Sequence, residues 1–203
     1  MEISWLPNRA AGSLLHLSSL PSDTGIGNLG KSAYEFIEFL KKAGISYWQM
    51  CPVGPTGYGD SPYQVFCSSA GNPYFIDWKP LVENGLLEDY ELEPLRQLST
   101  LETDYGGLYE EFFKLARKTS ERFRKDLHAL EELYGEFSEF IKTHDQWLDS
   151  HCMFHSIKLK NNERPWWEWT TDHLKDIEVQ KSSEYFFHQF IQYVFRGQWK
   201  ILK

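Results

Sequence analysis

The chain of 203 residues has few cysteines and no long apolar run. Its three cysteines, Cys51, Cys67 and Cys152, are odd in number and form no C-x-x-C pair, which is typical of reduced thiols rather than of a disulfide framework. Nowhere do about 18 apolar residues run together, and the N-terminus has no basic segment followed by an apolar one. The sequence therefore predicts a cytoplasmic protein without a membrane-spanning helix.

Positive charge is also in short supply. The chain has 21 basic against 29 acidic residues and no run of lysines or arginines. Such a surface gains little affinity by neutralising phosphates, so nucleic acid is not expected as a partner. Aromatic residues, in contrast, make up 16% of the chain and include eight tryptophans. Flat rings can stack on sugars, but they also fill protein cores, so this composition leaves both roles open.

The amino-acid composition of the chain changes near residue 80. Residues 1–80 are rich in Gly, Pro and Ser with short apolar runs, whereas residues 81–203 are charged and largely helical in period. The second part predicts four helices: Leu108–Ser120, Glu121–Glu132, Phe137–Lys158 and Ser183–Lys203. Residues 161–169 interrupt the helical pattern and predict a packed connecting loop.

A strand, a helix and a second strand are predicted in the first part. Ser13–Leu17 and Ile45–Val53 have the short apolar character of buried strands. Between them, Ser32–Ala43 repeats its apolar residues at three and four positions, and Gly44 occupies the place of a C-terminal cap. This order is typical of a β-α-β unit with parallel strands and a right-handed crossover. Two parallel strands leave both sheet edges unpaired, so we expect the unit to need further strands.

The most unusual stretch, residues 54–74, follows the second strand directly. In a β/α barrel the loops after the strands form the ligand face, and such loops often carry function. Tyr58 and Tyr63 offer rings for stacking on a sugar, while Asp60 and Ser61 offer hydrogen bonds to hydroxyl groups. A tight connection whose tyrosines merely pack is an alternative explanation of the same residues.

Two histidines are candidates for a second kind of site, a metal site. His151 and His155 lie four positions apart and would share one face of a helix, a spacing that suits two metal ligands. No further ligand pattern accompanies them, so a mixed helix face is the preferred interpretation and no metal site is predicted. His16 ends the first strand, where a neutral imidazole would suit either the ligand face or the core.

Several segments of the first part stand out together: Arg9–His16, Ser18–Pro21, Gly25–Gly30, Tyr47–Gln49, Gly54–Gln64 and Ala70–Tyr74. In this order and spacing they resemble the N-terminal motifs of the 4-α-glucanotransferases, which are also called amylomaltases or disproportionating enzymes and form glycoside hydrolase family 77. Residues 165–169 and 192–199 resemble weaker landmarks of the same family.

The resemblance implies an α/β fold, a (β/α)8 TIM barrel with a mainly helical inserted subdomain. Residues 1–80 would supply the first barrel strands and the substrate-binding loop, and residues 81–203 most of the insertion. It also implies an enzyme that acts without a cofactor on malto-oligosaccharides and on starch- or glycogen-derived glucans. Such enzymes cut an α-1,4 linkage with retention and pass the glucan segment to the 4-hydroxyl of an acceptor.

Site roles follow from the resemblance residue by residue. Tyr63 and Ser61 would line the subsites near the scissile bond, and Tyr58 would help to form an accessory glucan groove. Asp60 joins them as a hydrogen-bonding residue of the same loop. The site prediction is therefore substrate binding by these four residues.

No catalytic residue is assigned, because the resemblance implies that both catalytic carboxylates lie on barrel strands after Lys203. Retaining chemistry needs two carboxylates about 5 to 5.5 Å apart, and no motif places a second acid beside Asp60. We therefore expect an inactive N-terminal fragment that lacks the C-terminal part of its barrel, with a non-catalytic α-glucan-binding module as the alternative. The last predicted helix has Arg196-Gly197 where bulkier residues are usual in the family, and together with its abrupt end this agrees with a truncated, frameshifted or partial sequence.

Overall fold

A computed structural model of the chain describes residues 9–57, 59–169 and 177–203, with Ile177 described by its backbone alone. Helices dominate these ranges. The strands and α-helices, in chain order, are β1 (Gly12–Leu14), α1 (Lys31–Lys42), β2 (Tyr47–Gln49), α2 (Lys79–Glu83), α3 (Glu93–Arg96), α4 (Tyr105–Phe123), α5 (Glu131–Tyr134), α6 (Phe137–Lys160), α7 (Ile177–Gln180) and α8 (Ser183–Leu202). Short 3-10 helices cover Leu17–Ser19, Pro73–Phe75, Asp89–Leu92 and Trp166–Glu168.

The predicted β-α-β unit is confirmed. β1 and β2 pair in parallel, with Gly12 opposite Tyr47, and α1 connects them. Gly44 takes a φ of +69° directly after the C-cap of α1, a conformation that glycine adopts without steric cost. The ring of Phe36 on α1 packs edge-on against Trp48 of β2, with centroids 5.0 Å apart. This contact fixes the helix on one face of the two-stranded sheet.

Both strands are shorter than the sequence predicts. β1 ends at Leu14 because the chain turns into the 3-10 helix at Leu17, where the Ser19 N–H donates to the carbonyl of His16 at 3.0 Å. β2 ends before Pro52, which has no N–H to offer a neighbouring strand. An apolar run is therefore longer here than the strand that it contains.

The helical part agrees with its sequence period except between α4 and α6. The prediction of one helix over Glu121–Glu132 is wrong, because α4 runs on to Phe123 and the chain then turns towards the short α5. The side chain of Asp126 accepts the His128 N–H at 3.1 Å, and Leu130 is fully buried. A turn that buries Leu130 outweighs the local helical preference, since propensity is only a weak guide where tertiary contacts form.

Most aromatic rings fill the core. In the helical part, Phe123 lies within 5.0 Å of Phe190 and 5.6 Å of Tyr193, measured between ring centroids, and the Tyr193 hydroxyl donates to the carbonyl of Gly135 at 2.7 Å. Several rings remain exposed, among them Trp166 and Trp167, which are 64% and 69% exposed. The prediction that residues 161–169 form a packed loop is therefore wrong for these two rings.

Gly197 has a packing role in α8. A Cβ atom at this position would lie 2.3 Å from Cγ of Tyr134 on α5, a distance that real Cβ contacts do not reach. Glycine at this position is thus required by the close approach of α5 and α8. No helix in the described ranges is long and apolar enough to cross a bilayer.

Candidate functional site

A cleft of about 480 Å³ opens between residues 53–72, which follow β2, and three helices of the second part. Its lining comes from every one of these elements and includes Thr56, Asp60, Phe66, Tyr109, Phe113, Arg117, His155, Lys158, Glu184, His188 and Gln192. Aromatic rings and charged groups alternate around it. A cleft of this size and mixed character suits a small molecule with both flat apolar faces and hydrogen-bonding groups.

Residues 53–72 form a closed loop, here named the 53–72 loop. At its base the Asn72 N–H donates to the carbonyl of Val53 at 2.7 Å. Higher up, Thr56 and Val65 form an antiparallel bridge, and the Gly57 N–H donates to the carbonyl of Gln64 at 3.2 Å. These bonds make residues 57–64 the tip of a narrow hairpin whose position depends on its base.

Asp60 reaches the cleft because the tip turns sharply. Gly59 and Asp60 both take positive φ values, +85° and +52°, and aspartate is among the few residues that tolerate this conformation. The Thr56 hydroxyl donates to Oδ1 of Asp60 at 3.4 Å, which orients the carboxylate. Asp60 is thus the predicted site residue that the structure places in the cleft wall.

Ser61 and Tyr63 lie on the same tip but are not among the described residues that line the cleft. Tyr63 is 75% exposed, its hydroxyl donates to Sγ of Cys51 at 3.7 Å, and its N–H donates to the Ser61 hydroxyl at 3.4 Å. The ring therefore offers most of its area to solvent. Tyr58, the remaining predicted site residue, lies outside the described residues.

A side-chain amide of α8 forms hydrogen bonds with the base of the 53–72 loop. The Gly71 N–H donates to Oε1 of Gln192 at 2.8 Å, and Nε2 of Gln192 donates back to the Gly71 carbonyl at 2.9 Å. Six residues on, Gln198 makes the same pair of bonds with the backbone of Asp77, each at 2.8 Å. Between them, the Arg196 guanidinium donates to the carbonyl of Ser69.

Sequence reasoning missed these contacts, although Gln192 and Gln198 stand six apart in the 192–199 landmark. The signal is faint because glutamine on a helix is ordinarily a surface residue. Gly71 adds a stronger hint: a Cβ there would lie 2.0 Å from the ring of Phe195, so only glycine fits against α8.

Three histidines form one wall of the cleft. His151 and His155 share a face of α6, as their spacing predicts, and both meet His188 of α8, with ring centroids 4.8 Å apart for His155 and His188. Burial, reinforced by the neighbouring His188, lowers the pKa of His151 to about 3 and that of His155 well below its usual range. Within the described ranges no group of three or more side chains could hold a metal ion. His151 and His155 are therefore neutral, packed parts of the wall.

A buried carboxylate lies beside these rings. Glu184 accepts two hydrogen bonds from Arg117, at 2.8 and 3.1 Å, and lies 3.2 Å from Nε2 of His188. Burial alone would raise the pKa of Glu184, but the bonds from His188 and Arg117 outweigh it and hold the pKa at about 2. Glu184 is thus ionised and engaged by its partners, which ties α4 to α8.

His16 lies away from this cleft. Its ring packs edge-on against Phe75 with centroids 5.4 Å apart, and burial lowers its pKa. Its buried Nδ1 atom finds no hydrogen-bond partner among the described residues. Of the two roles left open by the sequence, a packed one agrees better with this environment.

The sequence of this chain is similar to those of known proteins. The sequence profile of the family described as 4-alpha-glucanotransferase matches residues 15–203. The chain is 41% identical to a 4-alpha-glucanotransferase of Clostridium butyricum and 39% identical to that of Thermus thermophilus, over 93% and 96% of its length. The chain belongs to the 4-α-glucanotransferase family.

The structure agrees with the family assignment. The amylomaltase of Streptococcus agalactiae, solved in complex with acarbose, superposes with a TM-score of 0.86 at 31% identity over 97% of this chain. The chain spans about 40% of the length of these relatives.

The N-terminal motifs of the 4-α-glucanotransferase family contact one another in the fold. The Gly27 N–H donates to the carbonyl of Ser18 at 3.3 Å, and a Cβ at Gly27 would lie 2.0 Å from the carbonyl oxygen of Leu17. The Leu29 N–H donates to the carbonyl of Phe75 at 2.8 Å. These segments therefore pack on one another and on the 3-10 helix that follows the 53–72 loop.

Proposed function

We propose that this chain supplies part of the α-glucan-binding surface of a 4-α-glucanotransferase. The whole enzyme would transfer a segment of a 1,4-α-glucan to the 4-hydroxyl of an acceptor by a retaining mechanism, without a cofactor and in the cytoplasm. Its substrates would be malto-oligosaccharides and glucans derived from starch or glycogen. The observation that carries the proposal is the 53–72 loop, which presents Asp60 to the cleft and Tyr63 to solvent.

The chemistry of the loop tip suits a glucan. A large exposed ring such as that of Tyr63 can stack on the apolar face of a glucose unit. The carboxylate of Asp60 accepts hydrogen bonds from sugar hydroxyl groups, and Ser61 can donate or accept one. Tyr58 joins them through the family resemblance.

The proposal includes a (β/α)8 barrel that extends beyond the β-α-β unit. Parallel strands are ordinarily covered on both faces, yet Leu14 of β1 and Tyr47 of β2 are exposed here. Further strands and helices would cover them. By resemblance, those later strands would also bring the two catalytic carboxylates, since the carboxylate of Glu184 is already held by Arg117 and His188.

Affinity electrophoresis in gels that contain amylose tests the binding site. We expect the chain to be retarded, and we expect Tyr63→Ala and Asp60→Ala to lose most of that retardation. Tyr90→Ala is a matched control, because Tyr90 is 70% exposed but lies outside the loop. Equal retardation of Tyr63→Ala and wild type would contradict the assignment of the loop.

Incubation with maltotriose separates binding from chemistry. The proposal predicts that the purified chain releases no glucose and forms no longer oligomers, because the paired carboxylates would come from later strands. Appearance of both products together would show that this chain carries a complete catalytic site. Retardation in amylose without turnover agrees equally with the alternative of a non-catalytic glucan-binding module.

A further inference from the structure

Two hydrogen bonds between Gln192 and Gly71 hold the base of the 53–72 loop against α8. Gln192 is only 1% exposed, and its amide is bonded on both sides to the Gly71 peptide, so the amide is not free for a ligand in the cleft. The adjacent residue, Asn72, closes the base of the 53–72 loop on Val53. A helix far along the chain therefore fixes the C-terminal side of the loop base.

We propose that Gln192 is a positioning residue that sets the placement of the 53–72 loop for glucan binding. The inference rests on the proposed function of the loop. A side-chain amide presents its carbonyl oxygen and an N–H side by side, so it can bond both the N–H and the carbonyl of Gly71 at once. The loop base is thereby attached to α8 by one bond from its N–H and one to its carbonyl, as a β-strand is attached to a neighbouring strand.

The loop transmits this placement to its tip. The bridge between Thr56 and Val65 and the bond from Gly57 to Gln64 leave the hairpin little freedom to bend between base and tip. Gly71 itself cannot move towards α8, because the ring of Phe195 already occupies the space of a Cβ atom. Loss of the Gln192 bonds would leave the Gly71 N–H and carbonyl buried without partners and release the base from the helix.

Gln198 provides a matched comparison within the same helix. It is 4% exposed and makes the same two backbone bonds, but with Asp77, which lies after the loop. Its Nε2 also donates to the Tyr134 hydroxyl at 3.2 Å. A general loss of stability would affect Gln192 and Gln198 variants alike. Loss of loop placement would affect Gln192 variants alone.

The experiment compares Gln192→Met with Gln198→Met in the full chain, since methionine keeps the length of the side chain and removes both bonds. Titration calorimetry with maltoheptaose measures affinity, thermal unfolding measures stability, and hydrogen exchange follows the amides of Gly57, Gln64 and Phe66. We expect both variants to unfold at lower temperature. We expect Gln192→Met to bind about tenfold more weakly and Gln198→Met to stay within about twofold of wild type.

Gln192→Glu serves as the conservative variant and guards against misfolding of Gln192→Met. A neutral carboxyl group accepts the Gly71 N–H and donates to its carbonyl as the amide does, whereas an ionised one has no donor. We expect its affinity to approach that of wild type at pH 5.5 and to fall below it at pH 8.5, each compared with wild type at the same pH, on the scale of about tenfold.

The outcomes separate the inference from the proposed function. Equal loss of affinity in Gln192→Met and Gln198→Met, or faster exchange at the loop tip in both, would overturn the positioning role. If wild type does not bind maltoheptaose, the proposed function fails. In that case, faster tip exchange in Gln192→Met alone would still establish that Gln192 places the loop.

Discussion

Two helical glycines of this chain differ in the space available for an added Cβ atom. Gly197 on α8 lies against Tyr134, whereas Gly106 at the start of α4 meets only an Asp104 oxygen at 3.5 Å. Alanine raises intrinsic helix stability by about 1 kcal/mol relative to glycine at either place. Of these two, only Gly197 would bring the added methyl group into collision with a neighbouring ring, that of the partly buried Tyr134.

We therefore expect Gly197→Ala to lower the free energy of unfolding by about 1–3 kcal/mol, as overpacking of a core does. Gly106→Ala should be neutral or slightly stabilising. Urea unfolding followed by circular dichroism measures both. An increase in stability for Gly197→Ala would mean that Tyr134 moves aside and that the helices are not held at this distance.

The buried histidines predict how stability changes with pH. The folded state keeps His151 and His155 neutral, with the pKa of His151 at about 3, while the unfolded chain protonates them near the ordinary value of 6.5. Below that value the unfolded state binds more protons, so stability falls as the pH falls. Each such histidine should cost roughly 1–2 kcal/mol between pH 6.5 and 5.

The free energy of unfolding, measured in urea from pH 7 to 5, tests this, and His151→Gln should reduce the slope. His128→Gln is the control, because the exposed His128 beside Glu131 has a raised pKa and an effect of opposite sign. At lower pH the carboxylates add their own loss: the pKa values of Glu91 and Glu184 are held at about 2, so their stabilisation disappears between about pH 4.5 and 2. A slope unchanged by His151→Gln would contradict the neutral state of His151.

Among the secondary-structure elements, the 3-10 helix Asp89–Leu92 is tied to α4 by one buried carboxylate. Glu91 accepts bonds from Arg122 at 2.5 and 3.1 Å and from the Glu88 N–H at 2.9 Å, and it pairs with Lys118. The carboxylate thus closes a capping box and neutralises two cations of α4. Its removal would leave both cations facing each other.

Glu91→Gln should therefore lower the free energy of unfolding by about 2 kcal/mol, because the cations that lose their partner are themselves partly solvated. Glu93→Gln is the control: its bond to Arg96 is exposed, and such pairs contribute about 0–0.5 kcal/mol. Chemical denaturation measures both. An equal effect of the two substitutions would show that Glu91 is an ordinary surface charge.

The secondary-structure elements also show which features a local sequence pattern can predict. α1, α6 and α8 follow from their apolar patterns, and each buries apolar side chains against the rest of the fold. The turn at residues 124–130 does not, since the burial of Leu130 depends on helices distant in sequence. The bonds of Gln192 and Gln198 span 121 residues each and leave no local pattern. Asp60 was predicted from its loop, whereas the cleft wall opposite it was not.

At the scale of the whole molecule, the framework of N-terminal motifs, the 53–72 loop and the helical part form one unit around the cleft. α4, α6 and α8 supply three of its walls, and α8 also holds the loop that supplies the fourth. The family assignment rests on sequence and on structure together, through the match over residues 15–203 and the TM-score of 0.86. The function proposed at this scale is glucan binding, and the measurement that tests it concerns the ligand.

The most direct test is equilibrium binding of maltoheptaose to the purified chain, with cellohexaose as the control. The two sugars offer similar rings and hydroxyl groups but differ in the geometry of their linkage, so a site shaped for α-1,4-glucans should discriminate between them. We predict saturable binding of maltoheptaose, weakened by Tyr63→Ala, and much weaker binding of cellohexaose. Absence of maltoheptaose binding, or equal affinity for both sugars, would contradict the account.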